Sequence, residues 1–142
     1  MSEAANYRPL SLTSVPGKLL EHIIYRSIMI HLNSFDILLD AQYGFRPERS
    51  CEMQLINTVE HLARSVNDRN QTDLFILHFS KAFDKVAHKR LLLKLEYYGI
   101  RGLVLAWIKA WLIGRTQQVA LEGEFSESCV RSGVPQETVL GP

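Results

Sequence analysis

The sequence has 142 residues, 46% of them hydrophobic, and its sixteen Lys and Arg against fifteen Asp and Glu leave a formal net charge of +1. The hydrophobic content excludes an intrinsically disordered chain, and the length allows one domain or part of one. A net charge this small does not by itself indicate a nucleic-acid partner.

Cysteine and apolar patterns exclude several further classes. Cys51 and Cys129 are far apart and form no C-x-x-C pair, so neither a disulfide framework nor a zinc site is predicted. Reduced thiols fit an intracellular protein, in the cytoplasm or the nucleus. No stretch approaches the roughly 18 apolar residues that a membrane span requires, and the N-terminus lacks a signal-peptide pattern. We therefore expect no membrane segment and no secretion.

The first predicted elements are an extended segment and a helix. Pro9 disfavours helical angles for Arg8, so residues 6–14 are expected to be extended and turn-like. Apolar residues at helical spacing then predict a helix over about 16–33. Its apolar stripe is expected to belong to the core.

A loop and a second helix follow. Residues 35–50 contain Asp, Gly and Pro with little periodicity, which indicates a loop. Ser50 is a good N-cap, and Glu52 is favourable in a first helical turn. The second helix is expected to end near residues 67–71, whose polar run indicates a turn, and it too carries an apolar stripe.

A short strand is predicted near the middle of the chain. Five of the six residues in 74–79 are apolar, which is typical of a buried strand, and residues 80–84 are expected to form a polar turn. A helix over about 85–98 follows and should stop at Gly99, because glycine readily adopts the conformation that ends a helix.

The last part of the chain predicts a helix and a hairpin. Residues 103–112 repeat apolar side chains at helical spacing up to Gly114, and the two tryptophans in this stripe are expected in the core. Residues 117–121 alternate as a strand, Gly123 provides a turn, and residues 128–131 are the expected return strand. The predicted fold class is α+β, helix-rich with a small antiparallel sheet.

Four motifs occur along the chain, at residues 6–13, 42–50, 74–84 and 132–142. In their order and in their residues they resemble the reverse transcriptase domain of non-long-terminal-repeat (LINE-type) retrotransposons. That family has N-Y-R-P-I-S-L near its start, D-F-S-K-A-F-D at a strand, and S-G-V-P-Q-G-S-x-L-G-P after it. The resemblance covers nearly the whole sequence.

The resemblance implies a right-hand polymerase fold, with residues of about 6–73 in the fingers and of about 74–142 in an incomplete palm. It also implies an RNA-directed DNA polymerase that takes an RNA template, a DNA primer and deoxynucleotides. Intact members use Mg²⁺, since nucleotidyl transfer needs two divalent cations held by carboxylates.

The departures from the family pattern concern the chemistry. The first catalytic aspartate falls on His78, and the glycine after Pro-Gln falls on Glu137. The family's second acidic motif, Y-x-D-D, would lie beyond Pro142. Imidazole suits zinc, copper or nickel better than magnesium, so no intact catalytic or metal site is expected. We predict that the chain by itself does not polymerise, and that His78 has a structural role on its apolar strand.

Two further residues have roles implied by the resemblance. Phe83 matches the steric gate, an aromatic ring against the sugar that disfavours a ribose 2′-hydroxyl; simple packing is an equally good interpretation. Gln136 matches a residue presented near the nascent base pair. Asp84 is expected to pair with Lys85, with Lys89 or with a backbone amide.

Three arginines are predicted to contact the nucleic acid. By resemblance Arg8, Arg46 and Arg49, called here the contact arginines, lie in the fingers and face phosphate or the template strand. As alternatives, Arg8 could form a surface salt bridge, and Glu48 and Glu52 could neutralise the other two.

Two other functions remain open from the sequence. The chain could be a non-catalytic nucleic-acid-binding module that keeps the arginine contacts. It could also be the decayed product of an element without any function. The changes to His78 and Glu137 each need a single base substitution, which is what drift in an unselected copy produces.

Overall fold

The computed structural model describes residues 11–121 and 123–141. Within these residues the chain forms four α-helices and one two-stranded sheet. In chain order the elements are α1 (Val15–Ser34), α2 (Cys51–Asn67), α3 (His88–Tyr97), α4 (Gly102–Leu112), β1 (Thr116–Leu121) and β2 (Glu124–Cys129). The predicted helix-rich α+β class with a small antiparallel sheet is confirmed. Of the extended segment expected over residues 6–14, residues 6–10, with Arg8, lie outside the described residues, and residues 11–14 have no regular secondary structure.

The chain divides into two compact units. Residues 38–80 form one unit, and residues 11–37 together with 81–141 form the other. None of the described helices is both long enough and apolar enough to cross a membrane.

Helix α1 confirms the helix predicted over 16–33. The Ser14 hydroxyl caps it by accepting from the Gly17 amide at 3.2 Å, and a proline occupies the first turn, where its missing N–H is not needed. Only Glu21 and Ile24 are buried along its length, so the predicted stripe is mostly exposed. The helix contributes to the core through two residues nearer its C-terminal end, Ile28 and Leu32.

Helix α2 also begins and ends where the sequence predicts. Ser50 caps it, with its hydroxyl accepting from the Met53 amide at 3.2 Å, and the last helical residue is Asn67. No residue of α2 is buried among those described. Its apolar stripe, which includes Leu55 and Val59, is therefore solvent-exposed in this structure.

The strand predicted at residues 74–79 is wrong for this structure. The segment has no regular secondary structure, and its side chains are exposed, reaching 85% for Phe75. A strand takes its hydrogen bonds from a neighbouring strand, and the described residues provide no such neighbour for this segment. The apolar pattern is present, but nothing in the described chain pairs with it.

Helix α3 begins at His88, three residues later than predicted, because a turn occupies the preceding segment. The Lys85 amide donates to the Lys81 carbonyl at 3.1 Å, and Lys81 has a positive φ of 54°. The predicted stop at Gly99 is confirmed. Gly99 has φ 86° and donates to the Glu96 carbonyl, and the Ile100 amide donates to the Leu95 carbonyl, which is the Schellman pattern.

The core of the larger unit lies where α3 and α4 pack together. Ile100, Ile108 and Leu112 are its buried residues. Partly buried side chains surround them, namely Ile28, Leu32, Leu91, Leu92, Leu95, Val104, Trp107, Trp111 and Val134. Both predicted core tryptophans belong to this set, and their rings stack with centroids 6.0 Å apart. Leu103, expected in the same stripe, is 90% exposed because it lies on the other side of α4.

The hairpin follows α4 directly. β1 and β2 pair antiparallel, with Thr116 opposite Cys129 and Leu121 opposite Glu124. Gly123, the predicted turn residue, has a positive φ of 90°. The return strand begins at Glu124 and not at residue 128, because a tight turn brings the chain straight back along β1.

Candidate functional site

The residues that match the last motif lie against the turn before α3. We call residues 132–141 the motif loop and residues 81–87 the turn. The Gly133 amide donates to the Val86 carbonyl at 2.8 Å, and the Val134 amide donates to the Phe83 carbonyl at 3.0 Å. The Ser132 hydroxyl donates to the Asp84 carbonyl at 3.0 Å. These three hydrogen bonds, together with the one between the Gln136 and Asp84 side chains, join the two segments.

Gly133 allows this close approach. Its φ is 85°, and a Cβ added there would lie 2.8 Å from the Asp84 carbonyl oxygen and 2.9 Å from the Asp84 Cα. A side chain at this position meets both a conformational barrier and a backbone clash. Glycine is therefore required where the motif loop crosses the turn.

The side chains of His88 and Arg115 both contact the Gly133 carbonyl oxygen. His88 Nε2 lies 2.7 Å from this oxygen, and Arg115 Nη2 donates to it at 3.3 Å. Because a carbonyl only accepts, the proton of the buried His88 ring must be on Nε2. Burial lowers the pKa of Arg115, whose guanidinium also lies over the Trp111 ring at 5.7 Å.

Gln136 is held at two points. Its side-chain Nε2 donates to Asp84 Oδ1 at 2.7 Å, and its backbone carbonyl accepts from the Ser11 amide at 3.3 Å. The expected partners of Asp84 were two lysines or a backbone amide, and this expectation is wrong. The structure instead joins Asp84 to the motif loop, so Phe83 and Gln136 come from segments that are bonded to each other.

The far end of the motif loop is held by α1. Glu21 is only 2% exposed, and its Oε2 accepts from the Val139 amide at 3.0 Å and from the Leu140 amide at 3.3 Å. Within the loop, the Thr138 hydroxyl donates to the Pro135 carbonyl and accepts from the Gly141 amide, both at 3.1 Å.

Glu137 occupies a backbone conformation that favours glycine. Its φ is 61°, in the left-handed region, and its side chain is exposed. A non-glycine residue there is under conformational strain of about 1–2 kcal/mol. The positive φ at this position explains why a glycine suits it better than the glutamate present here.

In the smaller unit, two of the contact arginines are tied to their own loop. Arg46 Nη1 donates to the Leu39 carbonyl at 2.9 Å. Arg49 donates to the Asp40 carbonyl, forms an ion pair with the Asp40 carboxylate at 3.1 Å, and lies over the Tyr43 ring at 5.2 Å. The partner of Arg49 is thus Asp40, whereas the sequence suggested Glu48 or Glu52.

Comparison with known proteins identifies the family. The family model described as "Reverse transcriptase (RNA-dependent DNA polymerase)" matches residues 2–142. The chain belongs to the reverse transcriptase family. The resemblance read from the four motifs is thereby confirmed, and the motif loop and the turn carry two of those motifs.

Three of the similar curated proteins come from mobile elements of Drosophila melanogaster. The chain is 31% identical to the "Probable RNA-directed DNA polymerase from transposon BS" over 96% of its length, and 32% identical to that from transposon X-element over 99%. It is 30% identical over 99% to the polymerase from mobile element jockey. The chain spans about 15% of the length of each of these relatives. No solved structure matches the chain at a significant level.

His78, in the third motif, lies in the exposed segment of residues 74–79 in the smaller unit. Its imidazole offers a nitrogen ligand, which suits zinc, copper or nickel better than magnesium, and no negative charge. Among the described residues, no three His, Cys, Asp or Glu side chains lie close enough together to hold a metal ion. These residues do not fit a pair of magnesium ions, which prefer carboxylates and other hard oxygen ligands. Arg8 lies outside the described residues.

Sequence reasoning missed three residues of this site and the partner of a fourth. Glu21 was hidden in an apolar helical stripe, and His88 and Arg115 look like ordinary charged residues at helix ends. Asp84 was noticed, but its partner was not. A carboxylate flanked by apolar residues, as Glu21 is by Leu20 and Ile24 in its stripe, was the one signal available, because such a group must find donors when it is buried.

Proposed function

We propose that this chain is part of an RNA-directed DNA polymerase of a retrotransposon and contributes its nucleotide-facing and template-facing surface. The fold proposed is the fingers and part of the palm of a right-hand polymerase, with a boundary near residue 73. The observation that carries the proposal is the docking of the motif loop on the turn, because it joins the segments that bear Phe83 and Gln136.

Phe83 and Gln136 are the residues that would contact the nucleotide. Phe83 is half-buried, which suits a ring that packs on one side and meets a sugar on the other. Gln136 follows Pro135 in the loop, and its side chain is oriented by Asp84. In this proposal Phe83 acts as the steric gate and Gln136 lies near the nascent base pair.

The proposed macromolecular partners are an RNA template and a DNA primer, which also implies an intracellular site of action. The contact arginines are the proposed phosphate contacts. Arg46 uses one donor on a carbonyl, and a guanidinium has five donors, so others are available. Arg49 keeps a side chain that is 24% exposed beside its ion pair, and an arginine can bridge an acid and a phosphate.

We also propose that the chain does not catalyse polymerisation by itself. The position that supplies a magnesium-binding carboxylate in the family carries His78, and the described residues do not fit the metal pair. Binding and catalysis are therefore separable here. In this proposal the chain keeps nucleic-acid binding and lacks polymerase activity.

A binding experiment tests the proposal. The chain should bind an RNA–DNA primer–template duplex, with log K falling steeply as salt rises. Changing the three contact arginines to alanine should weaken binding and reduce the salt slope by about 2 to 3, at about 0.9 per phosphate contact. The control changes three exposed arginines elsewhere, Arg26, Arg64 and Arg90. Equal effects of the two triple variants would contradict the proposed contacts.

Primer extension separates the remaining possibilities. With Mg²⁺ and deoxynucleotides the unaltered chain should give no extended product on an RNA template, and a robust product would overturn the claim of inactivity. A chain that neither extends nor binds the duplex would support the decayed-element interpretation.

A further inference from the structure

Asp84 and Gln136 form a hydrogen-bonded pair whose geometry is chemically unambiguous. An ionised carboxylate accepts hydrogen bonds and does not donate them. The Gln136 atom that faces Asp84 Oδ1 at 2.7 Å must therefore be the amide nitrogen, Nε2. The amide carbonyl then points to the other side, so a single contact decides which end of the Gln136 amide is available to a ligand.

Both partners of this pair are themselves fixed. The Asp84 backbone carbonyl accepts from the Ser132 hydroxyl, and the neighbouring Phe83 carbonyl accepts from the Val134 amide. The backbone carbonyl of Gln136 accepts from the Ser11 amide. Asp84 and Gln136 are half-buried, and a charge-assisted bond in such surroundings is stronger than an exposed one. The side-chain amide of Gln136 is thus held in one orientation before any ligand binds.

We propose that Asp84 is a positioning residue for nucleotide recognition. It holds the Gln136 amide so that the carbonyl oxygen is presented to a hydrogen-bond donor of the nucleotide or nascent base pair. This inference rests on the proposed function, because it takes Gln136 as the residue that contacts the ligand. In this proposal Asp84 touches no ligand itself and acts through Gln136.

Four variants test this role. Asp84→Ala removes the acceptor, and Asp84→Asn keeps a neutral one. Gln136→Glu places two carboxylates together, and the double change Asp84→Asn with Gln136→Glu restores a donor opposite an acceptor. The matched control is Asp73→Ala, since Asp73 Oδ1 also accepts from a glutamine amide, that of Gln71 at 3.4 Å, but is exposed and lies outside the motif loop and the turn.

Two readouts are needed. The first is the NMR signal of the Gln136 side-chain amide, which should move to the position of a free amide in Asp84→Ala and not in Asp73→Ala. The second uses an RNA template with 4-thiouridine at the first templating position, annealed to a DNA primer. The yield of the cross-link to the motif loop reports the position of Gln136, and the dissociation constant reports total binding.

The expected result is a fall of about tenfold in cross-link yield for Asp84→Ala, the size expected when one charge-assisted hydrogen bond is lost. The dissociation constant should change less than about twofold, because the phosphate contacts supply most of the affinity. Asp84→Asn and the double variant should recover most of the yield.

Two results would overturn the inference in distinguishable ways. An unchanged cross-link in Asp84→Ala, with normal binding of the duplex, would overturn the role of Asp84 and leave the proposed function in place. Failure of the unaltered chain to bind the duplex would overturn the proposed function and, with it, the role given to Asp84.

Discussion

The buried carboxylate of Glu21 shows how one side chain can determine the path of a distant loop. Two backbone amides of the motif loop donate to it, and they lie 118 and 119 residues further along the chain. Burying a charged group is costly unless hydrogen bonds compensate for the lost water. The same contact therefore satisfies Glu21 and fixes Val139 and Leu140.

Glu21→Ala should lower the free energy of unfolding by about 2–4 kcal/mol, because two amides lose a charged acceptor. Urea denaturation followed by circular dichroism measures this. The control is Glu60→Ala, which removes an exposed i,i+4 ion pair with Arg64 and should change stability by no more than about 0.5 kcal/mol. Similar values for the two variants would show that the Glu21 contact is not stabilising.

Alanine variants of two glycines distinguish the cost of a steric clash from the cost of backbone strain. Gly133 and Gly114 have similar positive φ angles, 85° and 78°, but only the Cβ added at Gly133 meets the backbone of Asp84. Both alanine variants should lose about 1 kcal/mol to strain. Gly133→Ala should lose about 1–3 kcal/mol more, as overpacking does. Equal losses in thermal unfolding would argue against the close approach.

At the level of elements, the helix ends follow from local sequence. Ser14 and Ser50 cap α1 and α2 through hydroxyls that accept backbone amides. The C-terminal ends of α1, α2 and α3 share the Schellman pattern, with Asp36 and Arg69 in the first two at the position that Gly99 occupies in the third. A residue with a Cβ adopts that conformation at a cost, which is smaller for Asp than for most residues, and the hydrogen bonds that close the helix are retained.

The N-cap of α2 predicts a pH effect. The pKa of Glu52 is lowered by the hydrogen bond with the Ser50 side chain and then by one with its own backbone. A lowered folded-state pKa means that this contribution to stability is present above the unfolded-state pKa and is lost as pH falls through the folded-state pKa. Ser50→Ala should raise the pKa of Glu52 and weaken the pH dependence of unfolding in the acidic range.

The control for this prediction is Ser14→Ala. Ser14 caps α1 at the same distance, but the first turn of α1 has no acidic residue. Both variants should lose about 1 kcal/mol of stability through the cap. Only Ser50→Ala should shift the NMR titration of Glu52, and a shift in both would show that the cause is not the Ser50 contact.

At the scale of the whole molecule, burial is distributed unevenly between the two units. The larger unit has a core around Leu112, which is fully buried, whereas residues 74–79 and the apolar stripe of α2 are exposed. Amides in exposed segments without backbone hydrogen bonds exchange rapidly with solvent. Local stability should therefore differ strongly along the chain.

Hydrogen exchange measured by mass spectrometry should show protected amides in α4 and almost none in residues 74–79. Leu112→Ala should cost about 2–5 kcal/mol, as a cavity in a core does. Leu74→Ala, at a leucine that is 59% exposed, should cost no more than about 0.5 kcal/mol. Strong protection of residues 74–79 would mean that this segment is paired as a strand after all.

The candidate site was only partly predictable from the sequence. Motif matching identified Phe83 and Gln136, and the structure joins their segments. Motif matching could not identify Asp84 as the partner of Gln136, because the two residues are 52 positions apart in the sequence. For Arg49 the local pattern pointed to neighbouring glutamates, and the loop instead brought Asp40 to it, nine residues away.

The sequence by itself determined the family, the positions of α1 and α2, the stop at Gly99 and the turn at Gly123. These depend on capping groups, glycines and apolar spacing within a few residues. Only the tertiary structure decided that Glu21 holds the motif loop, that Asp84 orients Gln136, and that residues 74–79 remain unpaired. Each of these depends on which distant segment supplies a donor, an acceptor or a neighbouring strand, and a local pattern does not contain that information.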